Sequence, residues 1–266
     1  MQLIKQPLVY ILWGTHGNEA IITRPFSELI YNKLIEIDPK GTHVIGPISP
    51  WSCRNEFRFD RMMGDPNRTF DEQIPINSDY FELLKEWRSF QPKDLEQLQS
   101  FLIHIHQLGL NIGQLFTCCQ SSEYDFFGYV NRKMQLKRVK FITNMISRSI
   151  DQSIHSHITL IDMHAGIGKD AETILFYEGN GKINSPKFLI DTLASNIYQR
   201  FHVPVRTLIL ETGVVNNRFG LINVLSEIAA RTYGFDQPIP KISQMISPDW
   251  IIKAKKNFDI NIIGSI

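Results

Sequence analysis

A histidine and a glutamate, His16 and Glu19, stand three residues apart in the sequence GTHGNE at residues 14–19. The stretch follows an apolar run at 8–13 and precedes a helical pattern. An imidazole nitrogen and a carboxylate are a usual pair of zinc ligands, and a catalytic zinc site needs three protein ligands. The flanking glycines allow a sharp bend and a close approach of the backbone. The spacing alone is a weak signal, because Glu19 could simply favour the dipole of the following helix.

Two later apolar runs also end in candidate residues. The run at 159–163 ends at His164 and the run at 207–210 ends at Glu211, and a glycine follows each of them two residues later. In open α/β sheets, ligands bind at the carboxyl ends of the strands, where the connecting loops diverge. Three strands that each end in a candidate residue therefore predict one shared site at an edge of the sheet.

Each of these later residues has a structural alternative. His164 could be a buried histidine bonded to Asp162, since both lie on one side of a strand of period two. Asp162 could equally orient a histidine that binds a metal. Glu211 could pair with Arg206 or Arg218 instead of acting as a base. The functional interpretation is favoured for both His164 and Glu211.

Hydrophobic periodicity predicts strands that alternate with helices. The predicted strands are 8–13, 43–48, 158–163, 173–177 and 205–210, and the predicted helices are 18–37, 132–153, 186–201 and 219–233. Residues 50–70 show no clear period and are predicted to form a functional loop that carries several arginines. Residues 71–130 are predicted to be an inserted helical and irregular region. The pattern predicts one α/β domain over residues 1–266, with a mostly parallel sheet covered by helices on both faces.

Composition limits the class of protein. The chain has 266 residues, 43% of them hydrophobic, which is enough for a full core. Its net charge of +1 favours neither nucleic acid nor an anionic membrane as a partner. We find no bilayer-spanning run and no signal-peptide pattern. Three cysteines do not make a disulfide framework. We therefore expect a cytoplasmic protein, although export by a route without an N-terminal signal would leave the same features.

These motifs resemble those of the zinc carboxypeptidase superfamily, and most closely its aspartoacylase and succinylglutamate desuccinylase branch. The first motif of that branch, GTHGNE, is intact at 14–19. A DLNR-like motif appears as DPNR at 65–68, and a DLH-like motif appears as DMH at 162–164. Glu211 matches the family's general base by its position at the end of a later strand. The resemblance extends in the right order from residue 8 to about residue 215, and it implies the mixed, mostly parallel sheet of that superfamily.

The resemblance implies a role for each matching residue. His16, Glu19 and His164 would bind one zinc ion per chain, which activates water and polarises a carbonyl. Glu211 would take the proton of that water and return it to the leaving nitrogen. Apart from the resemblance, either Tyr177 or Tyr124 could donate to a tetrahedral intermediate, and the sequence does not choose between them.

The resemblance also implies roles for the polar residues of the predicted loop. Asn67 and Arg68 would bind a substrate carboxylate, because a guanidinium presents a matching fork of donors. The family has a further arginine before the DLNR motif that stabilises the oxyanion. Arg54, Arg58 and Arg61 all lie near that position, and we favour Arg58 or Arg61.

Three departures from the family pattern bear on the substrate. Pro66 replaces the usual leucine and restricts the backbone of the residue before it. The predicted insertion at 71–130 separates the first motif from the third. About 50 residues follow Glu211, which is short for the C-terminal β domain of the deacylase branch. A carboxypeptidase-like catalytic domain fits that length better.

The sequence therefore predicts a zinc-dependent hydrolase that cleaves an amide bond next to a free carboxylate. We favour a deacylase of N-acyl amino acids, with a small carboxylate-bearing substrate. The alternative is a metallocarboxypeptidase that acts on the C-terminus of peptides. An alternative of another class is a metal-binding or interaction module without catalytic activity.

Overall fold

A five-stranded sheet lies at the centre of this α/β fold. The computed structural model describes residues 6–37, 41–58, 60, 66–67, 96–97, 100, 103–104, 107, 132–151, 155–166, 169–182, 188–214, 227, 241–244 and 246–264. The strands are β1 (Gln6–Leu12), β2 (Thr42–Ile45), β3 (His155–Gly166), β4 (Thr173–Asn180) and β5 (Val205–Gly213). Their order is β2-β1-β3-β5-β4, in which β4 is antiparallel to β5 and all other neighbours are parallel.

The helices cover both faces of this sheet. They are α1 (Ala20–Ile35), α2 (Pro50–Asn55), α3 (Arg132–Ser147), α4 (Leu189–Phe201) and α5 (Pro248–Asn257). Short 3-10 helices lie at Gly17–Glu19, Ile242–Gln244 and Ile260–Ile263. α3 and α4 pack on one face, and α1 and α5 pack on the other. The prediction of a mostly parallel sheet with helices on both faces is confirmed.

Burial on both faces explains why the central strands are nearly continuous apolar runs. β3 lies between β1 and β5, and its residues from Ile158 to Ala165 are buried. Alternate residues face opposite cores, so Leu160 packs with α3 and α4 while Ile161 packs with α1 and α5. Towards the carboxyl end of β3, the α3–α4 side changes from apolar to polar, because Asp162 and His164 follow Leu160 on that side.

The structure differs from the prediction at two helices. Residues 50–55 form α2, where a loop was predicted. A helix of six residues is too short for an apolar period of 3.6 to become visible, although Pro50 at its first turn is a usual start signal. The predicted helix 132–153 ends instead at Ser147, and the backbone N–H of Asp151 donates to Nδ1 of His155 at 3.0 Å.

Most of the predicted insertion at 71–130 lies outside the described residues. The positions that are described within it are all helical: Glu96, Gln97, Ser100, Ile103, His104 and Gln107. The predicted helix 219–233 is described only at Glu227, which is helical. In the part of the chain that the structure describes, no helix has the length and the apolar character that a bilayer crossing requires.

Candidate metal centre

The turn between β1 and α1 carries the first two candidate ligands. His16 has an extended backbone and precedes the 3-10 helix Gly17–Glu19. Because side chains three residues apart eclipse one another in 3-10 geometry, the imidazole of His16 and the carboxylate of Glu19 lie side by side. Nδ1 of His16 is 2.8 Å from Oε1 of Glu19, and both side chains are buried.

Two glycines allow this turn to pack against α2. Gly14 has a φ angle of 69°, which residues with a Cβ rarely adopt. A Cβ on Gly17 would lie 2.0 Å from the carbonyl carbon of Ser52 in α2. No side chain fits in that space, so the turn that carries both candidate ligands depends on glycine at position 17.

His164 reaches the same point from the carboxyl end of β3. Its Nδ1 is 3.2 Å from Oε2 of Glu19, so the two carboxylate oxygens each face one imidazole. One ligand atom from each of the three residues lies within 4.8 Å of the other two. Two imidazole nitrogens and a carboxylate are a usual donor set for a divalent metal. The buried group of His16, Glu19 and His164 can therefore hold a metal ion, as the sequence predicts.

The charges at this point favour a cation. Burial would raise the pKa of Glu19, but attraction to His16 and hydrogen bonds with both histidines hold that pKa below its ordinary value. Burial would lower the pKa of His164, but Asp162 and Glu19 raise that pKa well above its ordinary value. A metal ion would compete with the proton that this pair of carboxylates stabilises on His164.

Asp162 and Thr15 orient His164 from the Nε2 side of its ring, whereas Nδ1 faces Glu19. Nε2 of His164 is 3.1 Å from Oδ2 of Asp162, which is the contact that the sequence suggests. The hydroxyl of Thr15 donates to the other oxygen of Asp162 at 2.9 Å, and both side chains are fully buried. A carboxylate that accepts a hydrogen bond from Nε2–H leaves Nδ1 directed at the candidate metal position. The sequence gives no signal for Thr15, because its partner lies 147 residues away.

Of the two candidate arginines that the structure describes, Arg54 and Arg58, Arg58 contacts the cluster. Its Nη1 donates to Oε1 of Glu19 at 3.0 Å, and its backbone N–H donates to Oε2 of Glu227 at 2.6 Å. Glu227 is 1% exposed and was not expected at the site. Its sequence signal is weak: a charged residue three positions after Val224, within an apolar helical pattern.

Among the other arginines of the predicted loop, the structure describes Arg54 alone. Arg54 lies in the last turn of α2 and is exposed. It lines a surface cavity of about 540 Å³ together with Trp13 and Arg24. Arg61 and Arg68 lie outside the described residues, so their predicted roles stay predictions.

Asn67 is buried beside His164. Its side-chain nitrogen lies 3.4 Å from Nε2 of His164, and its backbone oxygen accepts from the N–H of Leu189 at 3.1 Å. The start of α4 therefore holds Asn67 next to the cluster, and Pro66 does not displace it from there.

Glu211 lies next to His164 on the neighbouring strand. The register of β3 and β5 pairs the two residues, and paired residues project from the same face of a sheet, about 4.8 Å apart. Glu211 is buried, and a Cβ on Gly166 would lie 3.5 Å from its Oε1. Arg206, the alternative partner of Glu211, lies at the other end of β5 and donates to Glu178 at 2.7 Å.

Tyr177 lies further from the cluster. Tyr177 pairs with Ile209 of β5. Ile209 lies two residues before Glu211 and on the same face of the sheet. Burial and the neighbouring carboxylate of Asp191 raise the pKa of the Tyr177 phenol to about 12. Its hydroxyl is thus directed at α4, and Tyr124, the other candidate donor, lies outside the described residues.

A scan of the chain against protein-family models found no match, and a search of curated proteins found none either.

Proposed function

We propose that this chain is a zinc-dependent hydrolase of the zinc carboxypeptidase superfamily that cleaves an amide bond next to a free carboxylate. Deacylation of N-acyl amino acids is the activity that we favour. The proposal rests on one observation: the ligand atoms of His16, Glu19 and His164 lie within 4.8 Å of one another, with Glu211 in register beside His164.

The choice of zinc follows from the donor set. Buried imidazoles and a carboxylate suit zinc, whereas calcium and magnesium prefer sites made of oxygen ligands only. Three protein ligands leave a fourth position for water or substrate, which is typical of catalytic zinc sites. When bound there, zinc supplies Lewis acidity and lowers the pKa of water.

The remaining polar groups have separate tasks in this proposal. Glu211 takes a proton from the attacking water and passes it to the leaving nitrogen. The Arg58 guanidinium, which contacts Glu19 at 3.0 Å, is close enough to stabilise negative charge on the carbonyl oxygen. Arg68 and Asn67 bind the substrate carboxylate.

Metal analysis and a substrate panel test the proposal. Protein purified without added chelator should contain one zinc per chain by elemental analysis. The zinc-loaded protein should then hydrolyse N-acyl amino acids faster than peptides with a free C-terminus. The opposite order would identify a carboxypeptidase. Zinc without turnover of either class would leave a metal-binding module, and no stoichiometric metal would make the whole proposal wrong.

The variant Glu211→Gln tests the base. We expect kcat to fall by about a hundredfold or more, because the amide cannot accept the proton of the attacking water. Zinc content should stay at the wild-type level, since Glu211 is not among the proposed ligands. The matched control is Glu178→Gln on β4, whose carboxylate pairs with Arg206, and it should keep full activity. Wild-type kcat in Glu211→Gln would show that another group is the base.

A further inference from the structure

One row of side chains crosses three neighbouring strands beside the metal centre. The register pairs His164 of β3 with Glu211 of β5, and Glu211 with Ile174 of β4. Neighbouring strands are about 4.8 Å apart, so Ile174 lies about 10 Å from His164 on the same face of the sheet. We call these three residues the His164–Glu211–Ile174 row.

The last member of this row differs from the other two in exposure. His164 and Glu211 are buried, whereas Ile174 is 38% exposed. Phe176, at the irregularity where the register of β4 shifts, is 45% exposed. Covering exposed apolar surface with another apolar group is favourable, because it removes that surface from water. The edge of the site beyond Glu211 thus favours an apolar group.

The charges on β4 disfavour an acidic group at the same place. Glu178 is the one charged residue of β4, which is described over its whole length, and it pairs with Arg206 at 2.7 Å. β4 therefore offers no cation to a second substrate carboxylate. The carboxylate of Glu211, next to Ile174 in the row, would repel such a group.

We infer that Ile174 lines an apolar binding subsite next to the metal centre, and that the substrate carries an aliphatic or aromatic group beside the scissile amide. The inference rests on the proposed function, because it takes the row as part of an active site. A substituent that extends from the scissile carbon past Glu211 lies over β4. It belongs either to the acyl group or to the amino acid that is released.

Two substrate series distinguish these sources. The acyl series compares N-hexanoylglycine and N-benzoylglycine with N-succinylglycine. The amino-acid series compares N-acetylleucine and N-acetylphenylalanine with N-acetylaspartate and N-acetylglutamate. We expect kcat/KM of the zinc-loaded protein to be about tenfold or more higher for the apolar members in at least one series. A preference for the acidic members in both series would overturn the inference while leaving the hydrolase proposal intact.

Variants of Ile174 test whether this side chain sets the preference. Ile174→Asp should lower the apolar-to-acidic ratio of kcat/KM by about tenfold. Ile174→Thr keeps the β-branched shape for strand pairing and should lower the ratio less. The matched control is Ile252→Asp on α5, where the isoleucine is 52% exposed on the other side of the sheet, and it should keep the wild-type ratio. An unchanged ratio in both Ile174 variants would overturn the inference.

A binding measurement separates this inference from the proposed function. If no compound is hydrolysed, the proposed function is wrong, and titration calorimetry with hexanoate and succinate tests the subsite by itself. Zinc-loaded protein should bind hexanoate about tenfold more tightly than succinate, and Ile174→Asp should remove that difference. Equal binding of the two acids by the wild type would overturn the inference.

Discussion

At the scale of residues, Thr15 and Asp162 determine which nitrogen of His164 is available. The Thr15 hydroxyl donates to one oxygen of Asp162, and the other oxygen faces Nε2 of His164. The carboxylate is fully buried, so each lost hydrogen bond leaves a polar atom without its partner. Such a loss costs about 1–3 kcal/mol. The GTHGNE sequence thus contains the first two candidate ligands and also Thr15, which supports the third candidate ligand, His164, through Asp162.

We predict that Thr15→Val weakens zinc binding. Valine keeps the shape of the side chain but cannot donate to Asp162, so His164 is less firmly oriented, and zinc affinity should fall by about tenfold. Competition with a coloured chelator measures the affinity. Thr15→Ser keeps the hydroxyl and should retain most of it. Equal affinities for the valine variant and the wild type would contradict the role of Thr15.

The pKa shifts predict how the stability of the metal-free protein depends on pH. The pKa of His164 is raised above 6.5. Protonated His164 therefore contributes fully to stability below pH 6.5, and this contribution is lost as the pH rises through the raised pKa. The pKa of Glu19 is lowered from 4.5, so its contribution is lost as the pH falls below 4.5. Urea unfolding in EDTA should therefore show the free energy of unfolding declining above pH 6.5 and below pH 4.5.

Histidine variants assign the alkaline part of that decline. His164→Gln should remove the decline above pH 6.5, because no proton is then released from the site. His104→Gln changes an exposed histidine and should keep the wild-type profile. If His164→Gln also kept that profile, another group would be responsible.

Single residues of the site could be predicted where they lie next to the end of a predicted strand. His16, Glu19 and His164 each follow or precede an apolar run at a short, fixed spacing, and the structure brings them together. The sequence favoured Arg58 or Arg61; the structure places Arg58 against Glu19, and Arg61 lies outside the described residues. Glu227 was missed because its contact with Arg58 joins residues 169 positions apart.

At the scale of elements, α2 and α3 fix the segment that leads to Arg58. Arg138 of α3 donates to the hydroxyl of Ser49 at 2.7 Å and to Oδ2 of Asp60 at 3.3 Å. Burial lowers the pKa of Arg138, and the charge of Asp60 opposes that shift. The two contacts lie on either side of α2, so they hold both ends of the segment against α3.

The contact between α2 and the turn that carries His16 and Glu19 gives a further prediction. Gly17→Ala would place a methyl group 2.0 Å from the carbonyl carbon of Ser52, so α2 and the turn must move apart. We expect the free energy of unfolding to fall by about 3 kcal/mol and zinc affinity to fall with it, as His16 and Glu19 shift. Urea unfolding and chelator competition measure the two effects. Wild-type values for both would mean that the turn adapts without a cost.

The sequence predicted elements well where they are long and buried. The strands with continuous apolar runs and the helices α1 and α4 were predicted within a few residues. α2 was not, because six residues contain less than two turns and no period can be read from them. The early end of α3 was missed because Arg148 to Asp151 are compatible with either a helix or a turn.

At the scale of the whole molecule, metal binding should be coupled to folding. His16 and Glu19 come from one end of the chain, and His164 follows 145 residues after Glu19, so the unfolded chain does not present the three together. A ligand that binds the folded state alone raises stability by about 4 kcal/mol at a free concentration a thousandfold above its Kd.

Metal removal should therefore lower the melting temperature. Calorimetric scans with zinc and with EDTA should differ by several degrees for the wild type, in line with that free energy. His16→Ala removes one ligand, so its two scans should nearly coincide. Coincident scans for the wild type would mean that no metal binds the folded state.

The strand order has a consequence for how the protein is made. β3 pairs with β1, which is synthesised before it, and with β5, which is synthesised after it. A nascent chain that has exposed only GTHGNE holds two of the three candidate ligands and lacks the strand that supplies the other. A metal ion that needs all three residues could therefore bind only after His164 of β3, 145 residues after Glu19, has been synthesised.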